Sequence, residues 1–75
     1  MSKPTRITNS IRALRFARGE MTQAELAQRI GVTRQTIIAI EQGRYSPSLE
    51  VAFQIARVFK VPLDEDFQYP EGESQ

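Results

Sequence analysis

The chain contains no cysteine, no histidine and no tryptophan. Without thiols or imidazoles it has no disulfide framework, none of the usual zinc constellations, and no nucleophile of the Cys or Ser-His kind. We therefore expect no metal, no cofactor and no enzymatic activity. No apolar run approaches the roughly 18 residues of a membrane span, and the opening MSKPTRITNS lacks the hydrophobic segment of a signal peptide. The expected setting is cytoplasmic, away from any membrane. Length is also scarce: 75 residues make one small domain. Such a domain buries about 60 to 65% of the surface its unfolded chain exposes and is stable by about 4 to 11 kcal/mol. No internal repeat or low-complexity segment is visible.

What the chain does have is an uneven division of charge. The net charge is only +1, yet residues 1–44 carry eight Lys/Arg against three Glu, while the remainder is dominated by Glu50, Asp64, Glu65, Asp66, Glu71 and Glu73. A basic half suits a polyanion partner, and uneven scatter in a short chain would look the same.

Helical punctuation is dense. In NSIRALRFAR, Asn9 is a candidate cap, with Ile11, Leu14 and Ala17 forming a buried stripe before Gly19 stops the helix. Thr22 and Glu25 stand at the spacing of a capping box, Leu26, Ala27 and Ile30 supply the next stripe, and Gly31 ends it. Thr33 then caps a third helix from Arg34 to about Gln42, with Ile37, Ile40 and Glu41 on one face and Arg34, Gln35, Ile38, Ala39 and Gln42 on others. Two helices separated by so short a turn must cross sharply, as a helix-turn-helix does.

Ser48 caps a fourth helix, whose Leu49, Ala52, Phe53, Ile55, Ala56 and Phe59 form a wide stripe expected to close the core. In LDEDF, three acids near the start of a short fifth turn suit the helix dipole, and the remaining ligands of a calcium loop are missing. TRIT and FQYP each alternate enough for a short strand, and the two are expected to pair against the helices, within one chain or across a dimer. The fold class expected is all-α: a compact five-helix domain with room for a terminal β-ribbon. Residues 1–8 form an arm or strand, 9–67 the domain, and 68–75 a strand end and tail.

The stretch TQAELAQRIGVTRQTIIAIEQGRYSPSLEVAFQIARVFKVPL resembles the Cro/C1-type, or XRE-like, helix-turn-helix family, whose fold is that of the lambda-repressor DNA-binding domain. The likeness spans residues 10–67. Its specific features are Gln23, Glu25-Leu26-Ala27, Gly31-Val32-Thr33, Ile37, Ile40-Glu41, Gly43 and Pro47-Ser48-Leu49. The length and both ends are similar to those of small dimeric members typified by the enterococcal cytolysin repressor. One departure is an extra residue around Gly19 and Glu20, expected to shift the first helix slightly. The resemblance implies a buried ion pair between Arg15 and Glu41, and a homodimeric repressor on a palindromic operator. An antitoxin or a restriction-modification controller, binding its own operator and a partner protein, remains the alternative.

In such proteins the second helix of the pair enters the major groove of double-stranded DNA with its N-terminal residues against base edges. Arg34 has the fork for guanine, Gln35 the amide for adenine, and Thr33 or Thr36 a hydroxyl and methyl for phosphate or thymine. Ile38, beside Ala39, suits a thymine methyl or is a surface apolar residue packed near the longer turn. The resemblance puts Gln23 on a phosphate, and Arg44, Tyr45 and Ser46 in a loop against the DNA backbone. Tyr45 could equally pack its ring on the edge of the core. Leu63, Phe67 and Tyr69 are the candidate dimer interface, the other reading being intramolecular core.

Overall fold

The computed structural model describes residues 6–44 and 46–69. Five helices and a two-stranded sheet follow one another as β1 (Thr8–Asn9), α1 (Ile11–Ala17), α2 (Gln23–Ile30), α3 (Arg34–Glu41), α4 (Leu49–Phe59), α5 (Leu63–Asp66) and β2 (Phe67–Gln68). Helices α2, α3 and α4 start where side chains satisfy their free backbone donors. Thr22 Oγ1 accepts from the N–H of Glu25 at 3.0 Å, Thr33 Oγ1 from that of Thr36 at 3.2 Å, and Ser48 Oγ from that of Val51 at 3.2 Å. Only half of the expected capping box forms, because the Glu25 carboxylate accepts from Arg29 Nη2 at 3.3 Å.

The turn between α2 and α3 depends on Gly31, whose φ of +83° suits a residue without a Cβ. Val32 N–H reaches back to the Ala27 carbonyl at 3.0 Å, and the Val32 side chain packs against the core. This closes the end of α2 as a hydrogen-bonded, apolar-sealed stop.

The core is built from Ile11, Met21, Leu26, Ala27, Ile30, Ile37, Ile40, Ile55 and Phe59, with Leu14, Val32, Val51, Val58, Val61 and Phe67 around it. Met21 precedes the cap of α2, and Leu26 lies four positions after that cap, the two positions of a hydrophobic staple. Val32 and Ile37 hold the same two positions around α3.

Several expectations need correction. Ala17 is exposed, and the buried neighbour on α1 is Arg15. The stripe of α4 is narrower than the sequence suggests: Ala52, Ile55, Ala56 and Phe59 are buried, but Leu49 is 68% and Phe53 49% exposed. A helix lying on a flat core buries one side only, so the flanks of a wide apolar stripe stay outside. Asn9 is not the cap of α1, since Ser10 holds that position without a side-chain bond. Asn9 instead stitches two elements together, its Oδ1 accepting from Ile11 N–H at 3.2 Å and its Nδ2 donating to the Ile40 carbonyl at 2.9 Å.

The two ends of the described chain meet as an antiparallel pair, Thr8 opposite Gln68 and Asn9 opposite Phe67. The backbone N–H of Ser10 also donates to the Asp66 carbonyl at 2.9 Å. Thr5 and Pro70, the outer ends of the two expected strands, fall outside the described residues. The acidic triplet divides. Asp64 and Glu65 are exposed at the start of α5, as the dipole reading requires, whereas Asp66 is fully buried and neither of its carboxylate oxygens has a hydrogen-bond partner among the described residues. Burial pushes its pKa from 3.8 up to about 7. Among the described residues, no helix is long and apolar enough to cross a membrane.

Candidate nucleic-acid interface

Helix α3 has two unlike sides. Ile37 and Ile40, on the inner one, are 0% and 2% exposed. Arg34 and Gln35, in the first turn on the outer one, are both exposed, and Thr36, Ile38 and Ala39 are half-buried. Neither Arg34 nor Gln35 has a polar partner among the described residues, so both present their full donor and acceptor sets to solvent. Ile38 stands outside the core cluster, on the same outer side.

The threonines behave differently from the side chains that follow them. The Thr33 hydroxyl is used in capping and also lies 3.0 Å from the Thr36 hydroxyl. The pair braces the first turn of α3, leaving their methyl groups and spare lone pairs for an incoming ligand.

Beneath α3 lies a closed polar network. Arg15 Nε donates to Glu41 Oε2 at 2.7 Å and Arg15 Nη2 to Glu41 Oε1 at 3.2 Å, the two-point geometry of a guanidinium on a carboxylate. Both side chains are 9% exposed. Arg15 Nη1 donates to the Met21 carbonyl at 2.8 Å, and Gln23 Nε2 donates to Glu41 Oε1 at 3.1 Å. The network joins α1, the first turn of α2 and the end of α3. Every member has partners, which is the condition under which a buried pair rigidifies a site.

The turn at Gly19 and Glu20 between α1 and α2 leaves this pair intact. Gly19 and Glu20 both adopt left-handed φ values, +76° and +61°, and loop outward. Met21 N–H returns to the Arg15 carbonyl at 2.9 Å, so Arg15 grips Met21 through both its main chain and its side chain.

Gln23 is half-buried, with its amide committed to Glu41, so a phosphate at this position would meet the amide only beside that bond. Arg44 is exposed, its Nη1 donating to Gln42 Oε1 at 3.1 Å. Tyr45 falls outside the described residues.

Between α1, the start of α2 and the side of α3 lies a cleft of about 660 Å3, with Arg34 on its rim. On another part of the surface, Ile7, Phe53, Leu63, Phe67 and Tyr69 line an apolar groove of about 500 Å3. Phe67 packs against the core, Leu63 is half-buried and Tyr69 is 65% exposed. The sequence reading missed Phe53 as part of this groove by assigning it to the core, although its place at the edge of a wide stripe was a usable signal.

Comparison with known proteins agrees with this geometry. Residues 11–65 match the family described as Helix-turn-helix. An HTH-type transcriptional regulator of Methanocaldococcus jannaschii is 53% identical over 53 residues, covering 71% of this chain and 80% of the relative. The regulator YgzD of Bacillus subtilis, also named as HTH-type, is 42% identical over 59 residues, 79% of this chain and 88% of the relative. The cryptic phage CTXphi transcriptional repressor RstR of Vibrio cholerae is 40% identical over 58 residues, 77% of this chain and 51% of the relative. The chain belongs to the helix-turn-helix family.

Proposed function

We propose that this helix-turn-helix protein is a sequence-specific, double-stranded-DNA-binding transcriptional regulator, a repressor that occupies a palindromic operator as a homodimer. The observation carrying this reading is the first turn of α3. Its inner side is locked into the core while Arg34 and Gln35 stand outward without polar partners among the described residues. A rigid helix with free bidentate groups at its N-terminal end is what reading base edges in a major groove demands. The basic first half of the chain supplies the sequence-independent attraction. The transcriptional repressor among its relatives supports the direction of regulation.

A single α3 offers few base contacts, and such motifs gain specificity by reading two half-sites about 34 Å apart. The apolar groove around Phe53, Leu63, Phe67 and Tyr69 is the surface we assign to a second copy. A different protein seated there would make the chain an antitoxin-like partner instead.

The test is selection of bound duplexes from a random pool, followed by gel-shift stoichiometry. We expect a symmetric motif bound by two chains, with affinity falling steeply as salt rises. Arg34→Ala should relax specificity at one base position by about 1 to 3 kcal/mol of discrimination. Equal weakening on every sequence would remove Arg34 from base reading, and monomeric binding to an asymmetric site would remove the dimer.

A further inference from the structure

The apolar groove assigned above to a second copy is walled mainly by one short segment. Leu63 and Asp64 line it from α5, Phe67 and Gln68 from β2, and Tyr69 from just beyond. Asp66 sits in the middle of that segment and yet takes no part in the groove's surface. It is fully buried, and neither carboxylate oxygen meets a hydrogen-bond donor among the described residues. The wall is built over an orphaned carboxyl.

Little holds this segment shut. The ribbon is two residue pairs long. It is supplemented by the bond from Ser10 N–H to the Asp66 carbonyl, by Gln68 Nε2 donating to the Asp64 and Glu65 carbonyls at 3.1 Å each, and by the Arg6 guanidinium 5.9 Å from the Tyr69 ring centroid. A two-stranded ribbon this short opens at low cost. Opening gives water to an ionised Asp66, which the closed form denies it. No charge offsets that denial. The elements against α5 and β2 are α4 and β1, with Ser10 leading into α1. Their charged side chains are Glu50 and Arg57 of α4, Lys60 at its end, Arg6 ahead of β1, Arg12 of α1, and Asp64 and Glu65 beside Asp66 itself. All of these are exposed and none bonds to Asp66, while the buried Arg15 of α1 is committed to Glu41. The chain has no histidine, so no side chain of ordinary pKa titrates between about pH 6 and pH 8, whereas burial holds Asp66 at about 7.

We propose that seating of a second copy in this groove is proton-linked: a proton on Asp66 keeps α5 and the ribbon closed as the groove's wall, and its loss opens that wall and releases the partner. This rests on the dimeric reading of the groove and adds its regulation. A neutral carboxyl tolerates burial beneath a second chain. A carboxylate is better solvated in a free chain whose ribbon has opened, so the dimer binds more protons than the two chains apart. Self-association therefore weakens as pH rises through about 7, and occupancy of an operator with two half-sites weakens with it. At lower pH the proton is held in both states and pH has no effect.

The experiment measures the dimer dissociation constant of the full chain by sedimentation equilibrium between about pH 5.5 and about pH 8.5, with circular dichroism confirming the fold at each pH. It compares wild type with Asp66→Asn, Asp66→Leu and, as a control on an exposed neighbour, Glu65→Gln. The wild-type constant should rise at least about tenfold from pH 6 to pH 8.5. Asp66→Asn should hold one constant throughout, and Asp66→Leu should do the same, standing in if the amide fails to fold. Glu65→Gln should keep the wild-type response. A wild-type dimer with one constant across the range would overturn this inference and leave the dimer standing. A pH response that survives in either Asp66 variant would overturn it by placing the titration elsewhere, and a folded Asp66 variant that stays monomeric at low pH would overturn it because an uncharged side chain should permit seating. A wild-type chain that is monomeric at every pH would overturn both this inference and the dimeric reading.

Discussion

Two charged side chains are buried among the described residues, and the protein holds them in opposite ways. Arg15, 7% exposed, gives its guanidinium to the Glu41 carboxylate and the Met21 carbonyl, and Gln23 completes the set. Asp66, 0% exposed, has neither oxygen satisfied by any described residue. The first lies under the helix that presents Arg34 and Gln35; the second lies where α5 runs into the terminal ribbon. A satisfied network fixes geometry, whereas an unpartnered carboxyl makes its neighbourhood depend on a proton. The putting together of these two sites teaches that burial alone decides little. What decides is whether partners came with it.

The largest effect should come from breaking the satisfied site. Glu41→Ala leaves Arg15 buried without its counter-charge and should lower unfolding free energy by about 3 to 5 kcal/mol in urea titration. Replacing both partners together, Arg15→Met with Glu41→Leu, should recover most of that loss. A Glu41→Ala protein as stable as wild type would mean that the network adds nothing.

The orphaned site should answer to pH. Between the unfolded value of 3.8 and the folded value of about 7, the folded chain keeps a proton on Asp66 that the unfolded chain has released. Its contribution is therefore most favourable below about pH 4, declines as pH rises, and levels off above about pH 7, a total fall of up to about 4 kcal/mol. Asp66→Asn should flatten this dependence and raise stability at pH 8. An unchanged pH profile in the variant would show that Asp66 ionises freely.

Smaller changes sharpen the contrast. Gln23→Ala removes one donor from Glu41 but leaves Arg15 in place, so the loss should be about 1 kcal/mol. The exposed pair of Arg29 and Glu25, with side chains 53% and 48% accessible, is the control for an ion pair in water. Glu25→Gln should change stability by less than about 0.5 kcal/mol, and the change should vanish at high salt.

Much of the helix-turn-helix was legible before any coordinates. Thr22, Thr33 and Ser48 announced three helix starts, and Gly31 announced the stop between α2 and α3. Each depends on hydrogen bonds within a few residues of itself. Ile37 and Ile40 were readable as an inward face because helical periodicity is also local. The outward placement of Arg34 and Gln35 follows from the same geometry. The pairing of Arg15 with Glu41 was reached through family likeness, since neither residue's spacing names the other. Phe53 and Asp66 were misread for one reason: how deep a residue lies depends on what distant segments pack over it, and local pattern is silent on that.

By itself, then, the amino-acid sequence determined where the helices begin and end, which faces of α2 and α3 are apolar, and which groups α3 offers outward. The tertiary structure alone decided that β1 and β2 pair within one chain beside Asp66, that Phe53 lines a surface groove, and that Arg12 and Arg34 share one cleft. The first set follows from interactions a few residues apart along the backbone. The second requires segments tens of residues apart to pack together, and only the closed fold specifies that arrangement.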